Sequence, residues 1–136
     1  SHAEHQSLYN TPPTFAIYVT GLIVRWLLDE MGGLTQMDRH NREKSQLLYE
    51  VLDQCQGFYQ GHAQRESRSL MNVTFNLPSH QLQDQFLSMA QQRKLCDLKG
   101  HRSVGGIRAS VYNAMPREGV AALRDLMLEF YDHHST

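Results

Sequence analysis

The chain has 136 residues, enough for one domain with a real core. Its 13 Lys plus Arg against 14 Asp plus Glu leave a net charge of −1, which gives no electrostatic reason to expect nucleic acid or a membrane surface as a partner. Two cysteines, Cys55 and Cys96, show no CxxC spacing, so neither a disulfide framework nor a zinc knuckle is suggested, and a reducing, cytoplasmic setting fits best.

The start, Ser1-His2-Ala3-Glu4-His5-Gln6, is polar and unlike a signal peptide, and beginning without Met it reads as a cut from a longer chain. Thr11 is expected to cap a helix whose first turn holds Pro12 and Pro13, with Phe15, Tyr18, Leu22, Trp26 and Met31 at helical spacing. Its apolar stretch over 21–28 is interrupted by Arg25 and is too short to span a bilayer. Gly32-Gly33 ends it. A second helix is predicted over about 35–54, with Met37, Leu48, Val51 and Leu52 inward and residues 38–46 mostly solvated. Residues 57–61 form a loop or short strand. Met71, Val73, Phe75 and Leu77 then alternate with polar residues, the period of a half-buried strand, which Pro78 stops.

Ser79 is positioned to cap a third helix carrying Leu82, Phe86, Leu87 and Met89. Short strands are predicted over 95–98 and 107–112. Pro116 opens a last helix with Val120, Leu123, Leu126, Met127 and Phe130 on one stripe. Helices on one face of a small, mostly antiparallel sheet make an α+β domain.

The chemistry concentrates in Lys99-Gly100-His101-Arg102-Ser103-Val104-Gly105-Gly106-Ile107-Arg108, where one imidazole and two guanidiniums flank a flexible Gly pair. That suits a ligand with two anionic groups. Arg108 sits in an apolar run, where a charge needs an ion-pair partner or a ligand, and the residues alone leave both readings open. His101 and Arg102 could equally be a solvated surface pair. Asn10 and Thr11 offer an amide and a hydroxyl where a helix begins, as caps or as anion ligands. His40, His62 and His80 lack metal-ligand spacing, and His133-His134 falls in an expected frayed tail, so no metal is proposed. Asp53, Asp84 and Asp97 show no pairing for acid and base work. Met89, Met115 and Met127 read as packing residues.

Three runs together, Ser7-Leu8-Tyr9-Asn10-Thr11-Pro12-Pro13-Thr14, Arg68-Ser69-Leu70-Met71-Asn72-Val73, and Lys99 to Pro116 with its Gly-His-Arg and Gly-Gly-Ile-Arg-Ala-Ser-Val-Tyr-Asn-Ala-Met motifs, resemble the C-terminal part of the phosphoserine aminotransferases. These are class-V, fold-type I enzymes that use pyridoxal phosphate. The resemblance covers nearly the whole chain, which is too short for the complete enzyme, and implies a single domain over 1–136: the small C-terminal domain, with residues 1–30 leading from a large domain absent here. It implies that Arg108 grips the substrate α-carboxylate, and that His101 and Arg102 hold the distal phosphate or carboxylate. Asn10 and Thr11, with Tyr9 beside them, would reach the cofactor phosphate of the neighbouring subunit in a homodimer.

It further implies transfer of an amino group between phosphoserine and 2-oxoglutarate on one side and 3-phosphohydroxypyruvate and glutamate on the other, in serine biosynthesis. Use of a phosphorylated substrate in vitamin B6 synthesis occurs in some members. The Schiff-base lysine lies in the family's large domain, so Lys99 is not assigned that role. No catalytic residue is expected in this chain, which should be inactive alone. The rival reading is a stand-alone phosphate-binding or interaction module built on His101, Arg102 and Arg108.

Overall fold

A computed structural model describes residues 1–55 and 57–135. The chain falls into two compact units, 1–38 and 39–136.

In the first unit, helix α1 (Thr14–Asp29) starts later than predicted, and Thr11 does not cap it: the N-cap is Pro13, with no side-chain cap bond. The reason is local. A proline holds the residue before it out of the helical region, so Pro13 excludes Pro12 from the first turn and the helix begins after both. Gly32 and Gly33, at φ 72° and 85°, make the break that was expected. No residue of α1 is buried, and Phe15 is 80% exposed, so its apolar periodicity is helical without being covered.

Helix α2 (Gly33–Gln54) brings Leu48, Val51 and Leu52 into the core of the second unit. Three strands follow in the order β1-β2-β3, all antiparallel: β1 (Gln60–Gly61), β2 (Asn72–Asn76) and β3 (Ile107–Ser110). Helix α3 (His80–Gln92) is capped by Ser79, whose hydroxyl accepts from the Leu82 N–H at 3.2 Å, a contact that contributes about 1 kcal/mol. Helix α4 (Arg117–His134) buries Val120, Leu123, Leu126, Met127 and Phe130, as its stripe predicts. These residues join Phe86, Val73, Phe75, Ile107 and Ala109 in one core between helices α2, α3 and α4 and one sheet face, an α+β arrangement.

Two expectations need correction, and a third holds with exceptions. Residues 95–98 are not a strand, because Lys94 and Asp97 take φ 61° and 59°, and left-handed residues break an extended run. Residues 38–46 are mostly exposed, as their polarity predicts, but Asn41, Lys44 and Ser45 are buried. His134 is not frayed: it ends α4 with its Nδ1–H donating to the Phe130 carbonyl at 2.9 Å and its ring stacked on Phe130 at 4.2 Å.

Candidate functional site

The segment from Lys99 to Ile107 folds back on itself. Lys99 and Ile107 form an isolated antiparallel bridge, the Gly100 N–H donates to Gly106 at 2.8 Å, and the Arg108 N–H donates to Leu98 at 2.8 Å. Gly100 is required there, because a Cβ would overlap the Gly105 carbonyl. Gly106 is required too. It takes φ 70°, and a Cβ would run into the Asn76 side chain and the Phe75 carbonyl.

The His101 carbonyl accepts from Val104 and Gly105 at 2.9 and 2.7 Å, a tight turn that turns His101, Arg102 and Ser103 out to solvent. The Ser103 N–H donates to His101 Nδ1 at 3.3 Å, and the Ser103 hydroxyl lies 2.7 Å from the same atom. With Nδ1 accepting both, the neutral ring carries its hydrogen on Nε2 as an outward donor. Arg102 forms no ion pair among the described residues. The turn therefore exposes an imidazole N–H donor beside a guanidinium, a pair that suits a small anion.

Arg108 sits on β3 directly opposite Thr74 of β2. The register pairs buried Val73 with Ala109 and Phe75 with Ile107, so Arg108, Thr74 and Ser110 belong to the other face of the sheet. The apolar run around Arg108 suggested a charge inside the core; strand alternation instead keeps it half-buried and off the core face. It has no ion pair among the described residues, and its buried Nε has no hydrogen-bond partner. Such an orphaned donor is uncommon, and an acceptor brought to it would satisfy it. Arg108 also lines a cavity of about 560 Å³, walled by Leu48, Leu95, Val111, Tyr112 and Met115. His101 and Arg102 do not line it.

One wall of this cavity is held by residues that sequence reasoning passed over. Lys44, 4% exposed, donates to the carbonyls of Tyr112, Asn113 and Met115 at 2.8, 3.3 and 3.0 Å. One turn earlier, Asn41 Nδ2 donates to Asn113 Oδ1 at 2.8 Å. Burial pushes the Lys44 ammonium below the usual lysine range. The signal was available: positions 37, 41, 44, 48 and 51 follow helical spacing, so Asn41 and Lys44 share the stripe of Met37, Leu48 and Val51.

Asn10 and Thr11 lie in the first unit, exposed, with no side-chain hydrogen bond among the described residues. With no side-chain cap on α1, the N–H groups of Phe15 and Ala16 also lack acceptors there. An amide, a hydroxyl and free helix N–H groups are a donor set that fits a phosphate. Among the lysines, Lys44 is committed to its three carbonyls, while Lys94 and Lys99 are exposed. Among the described residues no group of His, Cys, Asp and Glu could hold a metal ion, and no helix is long and apolar enough to cross a membrane. Asp53 is engaged structurally: Arg68 holds it with two bonds of 2.9 and 2.6 Å, Arg65 adds a third at 2.9 Å, and Arg68 lies over the Tyr49 ring.

The sequence pattern of class-V aminotransferases matches residues 1–123, and the chain belongs to that family. Within it the similarity is to phosphoserine aminotransferases. The chain is 61% identical to that of Rhodopirellula baltica, over 99% of this chain and 36% of the relative. It is 52% identical to that of Halalkalibacterium halodurans, over 98% of this chain and 37% of the relative. Among solved structures, the phosphoserine aminotransferase from Bacillus circulans subsp. alkalophilus superposes with a TM-score of 0.87 at 45% identity, over 97% of this chain and 36% of that one. The pyridoxal-phosphate-bound enzyme from Trichomonas vaginalis gives 0.82 at 42%, over 93% of this chain and 36% of that one. The chain thus spans a little over a third of the length of the relatives it matches.

Proposed function

We propose that residues 1–136 are the C-terminal, small-domain part of a phosphoserine aminotransferase, with residues 1–30 leading from its large domain. The intact protein would exchange an amino group between phosphoserine and glutamate through 3-phosphohydroxypyruvate and 2-oxoglutarate, as a homodimer in the reducing cytoplasm that two unpaired thiols suit. The observation that carries the reading is Arg108: a guanidinium whose buried Nε has no partner, at the rim of a cavity, in a chain 61% identical to a phosphoserine aminotransferase over almost its entire length.

Arg108 would bind the α-carboxylate common to every substrate, so one fork serves both half-reactions. His101 and Arg102 would hold the distal anion, a phosphate in one substrate and a carboxylate in the other. Asn10, Thr11 and the first turn of α1 would donate to the phosphate of pyridoxal phosphate bound by the neighbouring subunit. The cofactor, when bound, supplies the electron sink that makes amino transfer feasible. This chain's residues anchor and orient the substrate, and the lysine that holds the cofactor belongs to the part of the protein outside it.

The test is Arg108→Ala in the full-length enzyme. Losing a charge-assisted clamp of roughly 1.5–3 kcal/mol should raise KM for phosphoserine and for glutamate by at least about tenfold. Unchanged KM and kcat/KM for both would refute the assignment.

A further inference from the structure

The link between β3 and α4 carries no regular backbone pairing of its own, yet it walls the cavity that Arg108 enters. Tyr112 and Met115 line that cavity, and the only turn bond within the link runs from the Met115 N–H to the Tyr112 carbonyl, at 2.9 Å. The Tyr112 carbonyl, together with those of Asn113 and Met115, also meets Lys44. An ammonium has three N–H donors, and all three are used, on Tyr112, Asn113 and Met115. Asn41 fastens the Asn113 side chain from the same helix.

A buried ammonium is a costly way to attach a helix to a core, and an apolar side chain at position 44 would join the Met37, Leu48 and Val51 stripe at lower cost. What the ammonium does, and a methyl group cannot, is gather three carbonyls at one point and so set the path of residues 112–115. That path begins two residues after β3 ends and four after Arg108. We propose that Lys44, assisted by Asn41, is a positioning residue: by clamping the Tyr112–Met115 turn it sets the wall against which Arg108 presents its guanidinium to the substrate carboxylate. The proposal rests on the carboxylate reading of Arg108. Neither residue touches substrate.

The experiment uses full-length, cofactor-loaded enzyme carrying Lys44→Met, Lys44→Arg or Asn41→Ala, with Arg108→Ala alongside. A misplaced wall should raise KM about tenfold or more for both phosphoserine and glutamate while kcat stays within about threefold, since small displacements at a binding group cost affinity without removing a reacting group. Lys44→Arg, which keeps donors at the carbonyls, should recover part of the loss, and Asn41→Ala should show a smaller change in the same direction. A variant damaged only in stability would melt earlier with KM unchanged, and that result in soluble Lys44→Met overturns the proposal. If Lys44→Met does not fold, unchanged KM in both Lys44→Arg and Asn41→Ala overturns it equally. Should Arg108→Ala also leave KM unaltered, the carboxylate reading itself fails; a raised KM in Arg108→Ala beside silent Lys44 and Asn41 variants rejects the positioning role alone.

Discussion

Thr74 of β2 stands directly opposite Arg108 of β3, on the sheet face that does not carry Val73, Phe75, Ile107 and Ala109. The pairing matters because it separates the charge from the core. Replacing Arg108 removes no packed core surface and no ion pair among the described residues, and it relieves an orphaned Nε. Arg108→Ala should therefore change unfolding free energy by no more than about 1 kcal/mol, since only the contacts of a half-buried stem are lost. Urea unfolding would measure it. A loss of about 2 kcal/mol or more would make Arg108 a structural residue.

The turn bearing His101 and Arg102 is outside the Arg108 cavity and exposed, so the two sites should be separable in substrate preference. His101→Ala and Arg102→Ala in the full-length enzyme should reduce kcat/KM for phosphoserine more than for glutamate, by about tenfold. A phosphate dianion has more charge and more acceptor oxygens to lose than a carboxylate. Equal losses on both substrates would return the pair to a solvated loop.

Asn10 and Thr11 are expected to act on the neighbouring subunit's cofactor phosphate. Subunit exchange tests this: a full-length Asn10→Ala/Thr11→Ala chain is mixed with one lacking the cofactor-holding lysine. In the mixed dimer, the site that keeps its lysine belongs to the mutant subunit and receives Asn10 and Thr11 from its partner. Cofactor affinity at that site should approach wild type. Affinity as weak as in the double-mutant homodimer would mean that the residues act within their own chain.

Asp53 and Arg68 predict an acid limit to stability. The Arg68 guanidinium bonded to Asp53 holds that carboxyl below the usual range. A carboxyl whose folded-state pKa is depressed contributes stability above its unfolded value, about pH 4, and the contribution vanishes as pH falls through the folded value. With side chains 20% and 26% exposed, solvent screening limits the pair to about 1 kcal/mol. Asp53→Asn should lower stability at pH 7 and leave it nearly unchanged near pH 2 in chemical denaturation. An equal deficit at both values would assign the effect to packing.

The chain by itself should give no turnover of phosphoserine with 2-oxoglutarate when pyridoxal phosphate is added. Lys44 is buried under three carbonyls, and nothing else on the chain is expected to hold the cofactor ring. Spectrophotometric assay of the isolated chain decides, and sustained turnover would contradict the fragment reading.

Much of the fold was legible because the patterns that carry it are local. The stripe from Val120 to Phe130, the alternation of Val73 and Phe75, and the Ser79 cap each depend on backbone period or on one side chain reaching three residues along. The motif residues His101, Arg102 and Arg108 were likewise visible as residue types. Three features needed the tertiary structure. Residues 95–98 failed to form a strand because Lys94 and Asp97 are left-handed, a state that composition does not announce. Lys44 read as solvated because a lysine normally is; only the return of residues 112–115 to α2 supplies the three carbonyls that make its burial tolerable. And sequence could not say which sheet face Arg108 takes: the register with Thr74 puts it opposite the core face, where it has no ion pair among the described residues and its Nε has no hydrogen-bond partner. Sequence by itself determined the family, the helices and the residue types of the site. Which of those residues face the core, which face a cavity and which hold a loop in place was decided by contacts between segments far apart in the chain, and local periodicity carries no record of those.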